Sequence, residues 1–283
     1  MTPGRKIART LKSKPTIEGA GVRLKRAFGH AEAPLFDPFL LLDDFRSDNP
    51  EDYLAGFPWH PHRGIETVTY VLKGMVEHGD SIGNRGVIRA GDVQWMTAGS
   101  GIIHQEMPRG RQGLGGFQLW VNLPSSHKMM DPRYRGIVKD QIPEVHPEHG
   151  VTIKVISGEV DGFRGPVEDL VLDVEYLDVT MEPDTVLERP VKRDYRSFAY
   201  VIGGNGSFDP ENEKTIGVET VVLFEDGESV TIKAGVRGLR CLLLSGEPIG
   251  EPVAWYGPIV MNTKEELKLA FKEFREGTFI KER

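Results

Sequence analysis

Two short stretches concentrate the residues most able to do chemistry. The first is Gly56-Phe57-Pro58-Trp59-His60-Pro61-His62-Arg63-Gly64-Ile65-Glu66, and the second is Thr97-Ala98-Gly99-Ser100-Gly101-Ile102-Ile103-His104-Gln105-Glu106. In an extended strand, alternate side chains share a face. His60, His62 and Glu66 therefore point one way, and His104 and Glu106 share a face in the second stretch. A single histidine in a sheet is usually a hydrogen-bonded core residue. Two at i and i+2 call for something that uses both lone pairs, and a divalent cation does so. Three imidazoles and one carboxylate suit Fe(II), Mn(II), Ni(II), Co(II), Cu(II) or Zn(II), and leave a coordination position open on a five- or six-coordinate ion.

Two carboxylates compete for the fourth place. Glu66 lies four residues beyond His62, roughly 13 Å along an extended strand, whereas Glu106 is only two residues from His104. Glu106 is the expected ligand, and Glu66 is expected beside the site or as a structural partner. Phe57, Trp59 and Met107 neighbour the ligands in sequence and are candidate pocket residues. His30, His78, His127, His146 and His149 are scattered and are expected on the surface or in linkers. No histidine follows His149, so one metal per chain is expected, in the first half only.

The elements that must position these residues are short β-runs. Thr67–Leu72, Gly116–Val121, Val151–Ile156 and Thr220–Phe224 are apolar or alternating and are punctuated by Gly, Pro and Asp. Such close punctuation predicts a sandwich or barrel rather than βαβ units. The halves read as degenerate repeats. Tyr70-Val71-Leu72-Lys73-Gly74 resembles Tyr200-Val201-Ile202-Gly203-Gly204. Gly91-Asp92-Val93 leads to Ala98-Gly99 as Gly227-Glu228-Ser229 leads to Ala234-Gly235. At the offset of the tyrosine match, His60 and His62 correspond to Pro190 and Lys192. The domain reading is residues 1–130 as a metal-binding barrel, 131–150 as a linker rich in Pro and charge, and 151–283 as a metal-free barrel with a terminal helix. In that helix Thr263-Lys264-Glu265-Glu266 is a capping box, Leu267, Ala270, Phe271 and Phe274 share a face, and Gly277 is the stop.

Composition narrows the function. The 283 residues carry a net charge of −7, which argues against nucleic-acid binding by the surface as a whole. Arg5, Lys6, Arg9, Lys12, Lys14, Arg23, Lys25 and Arg26 form one basic stretch, a candidate contact for a protein partner. The single cysteine, Cys241, lies in a strand-like run and reads as a quiet core thiol. The N-terminus lacks the apolar core of roughly 7–15 residues that marks a signal peptide, and no run reaches the ~18 apolar residues that span a bilayer. A soluble, cytoplasmic protein is expected.

The two histidine stretches resemble the paired motifs of the cupin superfamily, and more closely the pirin family. The resemblance rests on His60-Pro61-His62-Arg63-Gly64-Ile65-Glu66-Thr67-Val68, Gln94-Trp95-Met96-Thr97-Ala98-Gly99, Gly101–Pro108 and Leu119-Trp120-Val121-Asn122-Leu123. Ser245-Gly246-Glu247-Pro248-Ile249 and Gly257–Thr263 extend it into the second half. It implies an all-β bicupin, two tandem jelly-roll barrels with a C-terminal helix. It also implies a non-haem iron held by His60, His62, His104 and Glu106. The His104-x-Glu106 pattern is the pirin-like departure from cupins that use the position of Glu66. The resemblance leaves two activities open. One is a quercetin 2,3-dioxygenase-type enzyme acting on a flavonol or similar enolisable phenol, with Glu106 as ligand and base and carbon monoxide as a product. The other is a metal-dependent, redox-sensitive regulator that binds a transcription or metabolic partner.

Overall fold

The computed structural model describes residues 4–209, 211 and 214–281. The chain divides into two compact units. One comprises residues 1–14, 34–38 and 140–248, and the other residues 15–33, 39–139 and 249–283. These bounds differ from a simple division at residues 131–150. Residues 131–139 belong with the unit that carries the histidine stretches, where Arg133–Ile137 forms a strand against Val93–Thr97. The terminal helix, expected with the second half, also belongs to the unit that carries the histidine stretches.

The unit that carries the two histidine stretches contains a seven-stranded antiparallel sheet. Its strands run in the order Arg133–Ile137, Val93–Thr97, Ile65–Lys73, Gly115–Asn122, Phe39–Asp44, Val22–Phe28 and Lys14–Glu18. A second sheet has the order Phe57–His62, Ile102–Arg109, Met75–Asp80 and Arg85–Arg89. The strands Phe39–Asp44, Ile65–Lys73 and Val93–Thr97 are buried along most of their length, whereas Ile102–Arg109 alternates between buried and half-buried positions. Val22, Leu24, Val71, Val76, Ile88 and Leu114 form one cluster, and Leu40, Ile65, Met96, Ile102 and Val260 another. The helix Lys264–Glu276 starts at Thr263, whose hydroxyl accepts from the Glu266 amide while the Glu266 carboxylate accepts from the Thr263 amide. Gly277 ends it in the left-handed conformation at φ 75°. Ala270, with Leu267 and Phe271 beside it, packs against Ile259, Met261 and Phe279, so the helix docks as its periodicity requires.

The other unit repeats the plan. Its main sheet runs Ile7–Lys12, Thr220–Phe224, Arg196–Ser207, Ser229–Gly246, Val174–Met181, Val151–Ser157 and Glu144–Val145. Each strand has a counterpart at the same place in the first sheet. Tyr70 pairs with Val93 and Phe117, and Tyr200 pairs with Val221 and Leu242, so the tyrosine match is a true equivalence. The second match is not. Gly91 leads into Val93–Thr97, whose counterpart is Thr220–Phe224, and Gly227 comes after that strand. Gly-acid pairs precede many strands, so that similarity reports turn chemistry rather than position. Cys241 is buried in the core of this unit.

The basic stretch is divided between the units. Arg5 is buried, and its guanidinium donates to the carbonyls of Lys192, Arg193, Tyr195 and Gly227. Arg26 makes a two-pronged contact with Asp43 and a further one with Glu18. Arg5 is therefore not an exposed cation. No helix among the described residues is long and apolar enough to cross a membrane.

Candidate metal centre

Strand pairing assembles the site. His104 lies directly opposite His60, and Ile102 opposite His62. The register then slips by one residue, a bulge that sets Glu106 against Phe57. On its other edge, the strand Ile102–Arg109 places His104 opposite Asp80 and Glu106 opposite His78. Three pairs at i and i+2 (His60/His62, His104/Glu106 and His78/Asp80) thus share one sheet.

The structure brings His60, His62 and His104 together, with one ring nitrogen of each within 4.8 Å of the others. His60 Nδ1 lies 2.9 Å from the Pro58 carbonyl and His62 Nδ1 lies 3.0 Å from the Pro258 carbonyl. A carbonyl only accepts, so each Nδ1 carries a proton, and in the neutral form of each ring Nε2 keeps a lone pair. These two Nε2 atoms face each other at 3.1 Å. Neither can donate to the other while its Nδ1 proton stays on its carbonyl. His104 is fully buried, and neither of its ring nitrogens has a hydrogen-bond partner. Burial, with the neighbouring imidazoles adding to it, pushes the His62 and His104 pKa values well down, so both rings are neutral. Converging bare lone pairs on neutral imidazoles are what a divalent cation requires, and the residues fit one.

The two acids part company. Glu106 is buried and lines the same cavity as His60 and His62. Thr69 Oγ1 lies 2.8 Å and Gln94 Nε2 3.4 Å from the same carboxylate oxygen, Oε1. Its carboxylate is not part of the tight histidine cluster. Glu66 is a structural partner. Its Oε2 accepts from Trp95 Nε1 at 3.0 Å and its Oε1 from Thr97 Oγ1 at 2.5 Å. Burial raises its pKa.

A cavity of about 690 Å³ opens at the site. Phe57 and Trp59 line it, as do Trp120, Trp255, Thr69 and Gln118. Met107 does not. It follows Glu106 on the strand and so points to the opposite face, where it meets Gly56. His78, expected on the surface, is buried. Its Nε2 is 3.1 Å from Asp80 Oδ2, and its ring stacks on Tyr134 at 4.9 Å and lies 5.5 Å from the His104 ring. The sequence signal was its pairing with Asp80 at i+2, the same spacing that exposed the other two pairs. His30, His127, His146 and His149 are exposed, and His30 touches Trp255 at the cavity.

Two jelly-roll units on one strand plan, with convergent imidazoles in only one among the described residues, define a metal-binding cupin of the two-barrel kind. Comparison with known proteins makes the assignment specific. The pirin family model matches residues 21–121, and that of the pirin C-terminal cupin domain matches residues 176–280. The chain belongs to the pirin family. It is 47% identical to a pirin-like protein of Caulobacter vibrioides, over 98% of this chain and 100% of that one. A crystal structure of a quercetin 2,3-dioxygenase from Acinetobacter baumannii superposes with a TM-score of 0.88 at 32% identity, covering 98% of each chain. A bacterial pirin from Escherichia coli, solved in complex with nickel(II), shares the fold at TM-score 0.63 and 24% identity, covering 88% of this chain and 99% of that one.

Proposed function

We propose that this protein is a dioxygenase of the quercetin 2,3-dioxygenase type. It holds one divalent metal, Fe(II) by preference, through His60, His62, His104 and Glu106, and acts on a flavonol or similar enolisable phenol. The observation that carries the reading is the set of three imidazoles converging beside an aromatic-lined cavity. When bound, the metal supplies Lewis acidity toward the phenol and redox access to O₂.

The chain's own residues do the rest. The cavity is within the ~300–1,000 Å³ range of small-molecule sites. Phe57, Trp59, Trp120 and Trp255 offer flat apolar faces to a planar phenol. Thr69 and Gln94 hold Glu106 by Oε1, which leaves Oε2 for the metal and for a proton from the substrate hydroxyl. Glu106 is thereby both ligand and general base. The name carried by the Acinetobacter relative supports this substrate class.

The test is O₂ uptake by protein loaded anaerobically with Fe(II). Uptake is expected only with an enolisable phenol present, and His62→Ala is expected to abolish it in a folded protein. A metal-saturated protein that leaves O₂ untouched across flavonols and related phenols defeats the reading. So does equal turnover by His62→Ala, which would trace the activity to loose metal.

A further inference from the structure

One ligand histidine is held from the far end of the chain. The carbonyl that accepts from His62 Nδ1 belongs to Pro258, in the turn between the strands Ala254–Tyr256 and Ile259–Met261. Trp255, Tyr256, Gly257 and Pro258 of this hairpin also form a wall of the cavity. A carbonyl can orient an imidazole only if its own backbone is fixed. Here the fixing is specific. The Val260 amide donates to the Arg63 carbonyl at 3.1 Å, beside an isolated bridge between Arg63 and Ile259. The backbones approach so closely that a Cβ on Gly64 would sit 2.0 Å from the Val260 carbonyl oxygen.

Lys128 closes this junction. The residue is 2% exposed, and its Nζ donates to the Gly64 carbonyl at 2.9 Å, to Asn122 Oδ1 at 2.7 Å and to the Val260 carbonyl at 3.1 Å. An ammonium has three protons and no acceptor, and these three oxygens use all of them. Two of the oxygens lie two residues beyond the two partners of the His62 contact: Gly64 follows His62, and Val260 follows Pro258. Lys128 does not line the cavity. A buried lysine whose every proton bridges these two backbones has the geometry of a clamp rather than of a reactant.

We propose that Lys128 is a positioning residue of the metal site. By clamping the Gly64 and Val260 carbonyls it holds the hairpin so that Pro258 keeps His62 in the Nδ1–H form, with Nε2 bare toward His60 and His104. The proposal rests on the functional reading only in taking that Nε2 for a metal ligand. Partners that fix the outer nitrogen of a ligating histidine typically contribute about 10–100-fold to metal affinity, and Lys128 is assigned an effect of that size.

The test uses the full chain, ¹⁵N-labelled at histidine, in its metal-free form below neutral pH. Long-range ¹H–¹⁵N spectra of the wild type are expected to show His62 with a protonated Nδ1 and a bare Nε2. In Lys128→Met that signature should average between tautomers, and the Val260 amide should exchange about tenfold faster, as expected for the loss of a buried clamp. Affinity for Ni(II), used as the probe, should weaken by about 10–100-fold. Asn122→Asp keeps an acceptor for the ammonium and should behave like wild type. If Lys128→Met does not fold, Asn122→Leu removes one of the three acceptors and is read the same way. Unchanged His62 signals and Val260 exchange in the folded variant overturn the proposal. If the wild type binds no metal, yet the tautomer is fixed and is lost on substitution, the functional reading fails and the clamp stands.

Discussion

Replacing each of two buried glutamates by glutamine should separate metal binding from scaffold stability. Glu66→Gln and Glu106→Gln are the same chemical change in one unit, yet the structure assigns them opposite consequences. Glu66 accepts from Trp95 on one oxygen and from Thr97 on the other. Glutamine has one oxygen. Trp95 can only donate, so the glutamine oxygen stays on Nε1 and the amide NH₂ turns toward Thr97, whose hydroxyl must then accept instead of donate. The Thr97 proton loses its acceptor, at a cost of about 1 kcal/mol. For a unit of this size that lowers Tm by about 2–4 °C, with or without metal.

Glu106→Gln should leave the metal-free protein nearly as stable, because a glutamine oxygen still accepts from Thr69. Its effect appears on loading. Metal at a thousand times its Kd stabilises a folded protein by about 4.1 kcal/mol, or about 8–16 °C in Tm. A hundredfold loss of affinity at the same metal concentration leaves about 1.4 kcal/mol, or about 3–6 °C. The assay is scanning calorimetry of wild type and both variants, with Ni(II) and with EDTA. A metal-induced shift that vanishes in Glu66→Gln and survives in Glu106→Gln would refute the assignment of the two acids.

Three further outcomes are expected. Reconstituted protein freed of loose metal should hold one equivalent by elemental analysis, because among the described residues only His60, His62 and His104 form a histidine cluster; a second tight equivalent contradicts this. Burial pushes the Cys241 thiol far above its ordinary value, so it should react with a thiol reagent only as fast as the protein unfolds, measured across a urea series. Burial pushes Lys128 down to about 7 from an ordinary value near 10.5. Between those values the unfolded chain holds a proton that the folded chain has released, so stability should rise with pH by up to about 1.4 kcal/mol per unit. Urea midpoints at successive pH values above 7 should show that slope in the metal-free wild type and lose it in Lys128→Met.

The sequence reveals the parts of the site that obey a local period. His60/His62 and His104/Glu106 are visible because a strand puts i and i+2 on one face, and that rule survives the bulge between His104 and Glu106. The terminal helix is visible because its caps are local. His78 obeys the same rule with Asp80, but the pair holds one imidazole rather than two, so its spacing is a weaker signal than that of His60 and His62. The helix's docking unit is not legible at all. Its apolar face fits any core, and only Ile259, Met261 and Phe279 in space decide which one it covers. Least legible is the partner of His62. The Pro258 group it uses is a backbone carbonyl, which no side-chain pattern announces, and it lies 196 residues away in sequence.

The comparison of the two units shows what the site costs. Val186–Pro190 pairs with the start of Ser229–Gly246 as Phe57–His62 pairs with Ile102–Arg109. Where the first unit turns imidazoles inward, the second turns Leu187, Val230 and Ile232 into a continuous apolar core. Such a core needs no ion. The first unit has neutral rings with bare nitrogens in that place, and an unpaired buried polar group is destabilising. It recovers stability at its margins. Arg63, next to His62, is buried with its guanidinium on the Ser100 and Phe279 carbonyls, on Glu273, and over the Phe279 ring at 4.2 Å. Lys128 holds the hairpin in the same region. Both residues bind the segment after residue 249 to the barrel that carries the histidines. The end of the chain that would simply extend the half without the histidine cluster is used instead to brace the half whose interior carries it.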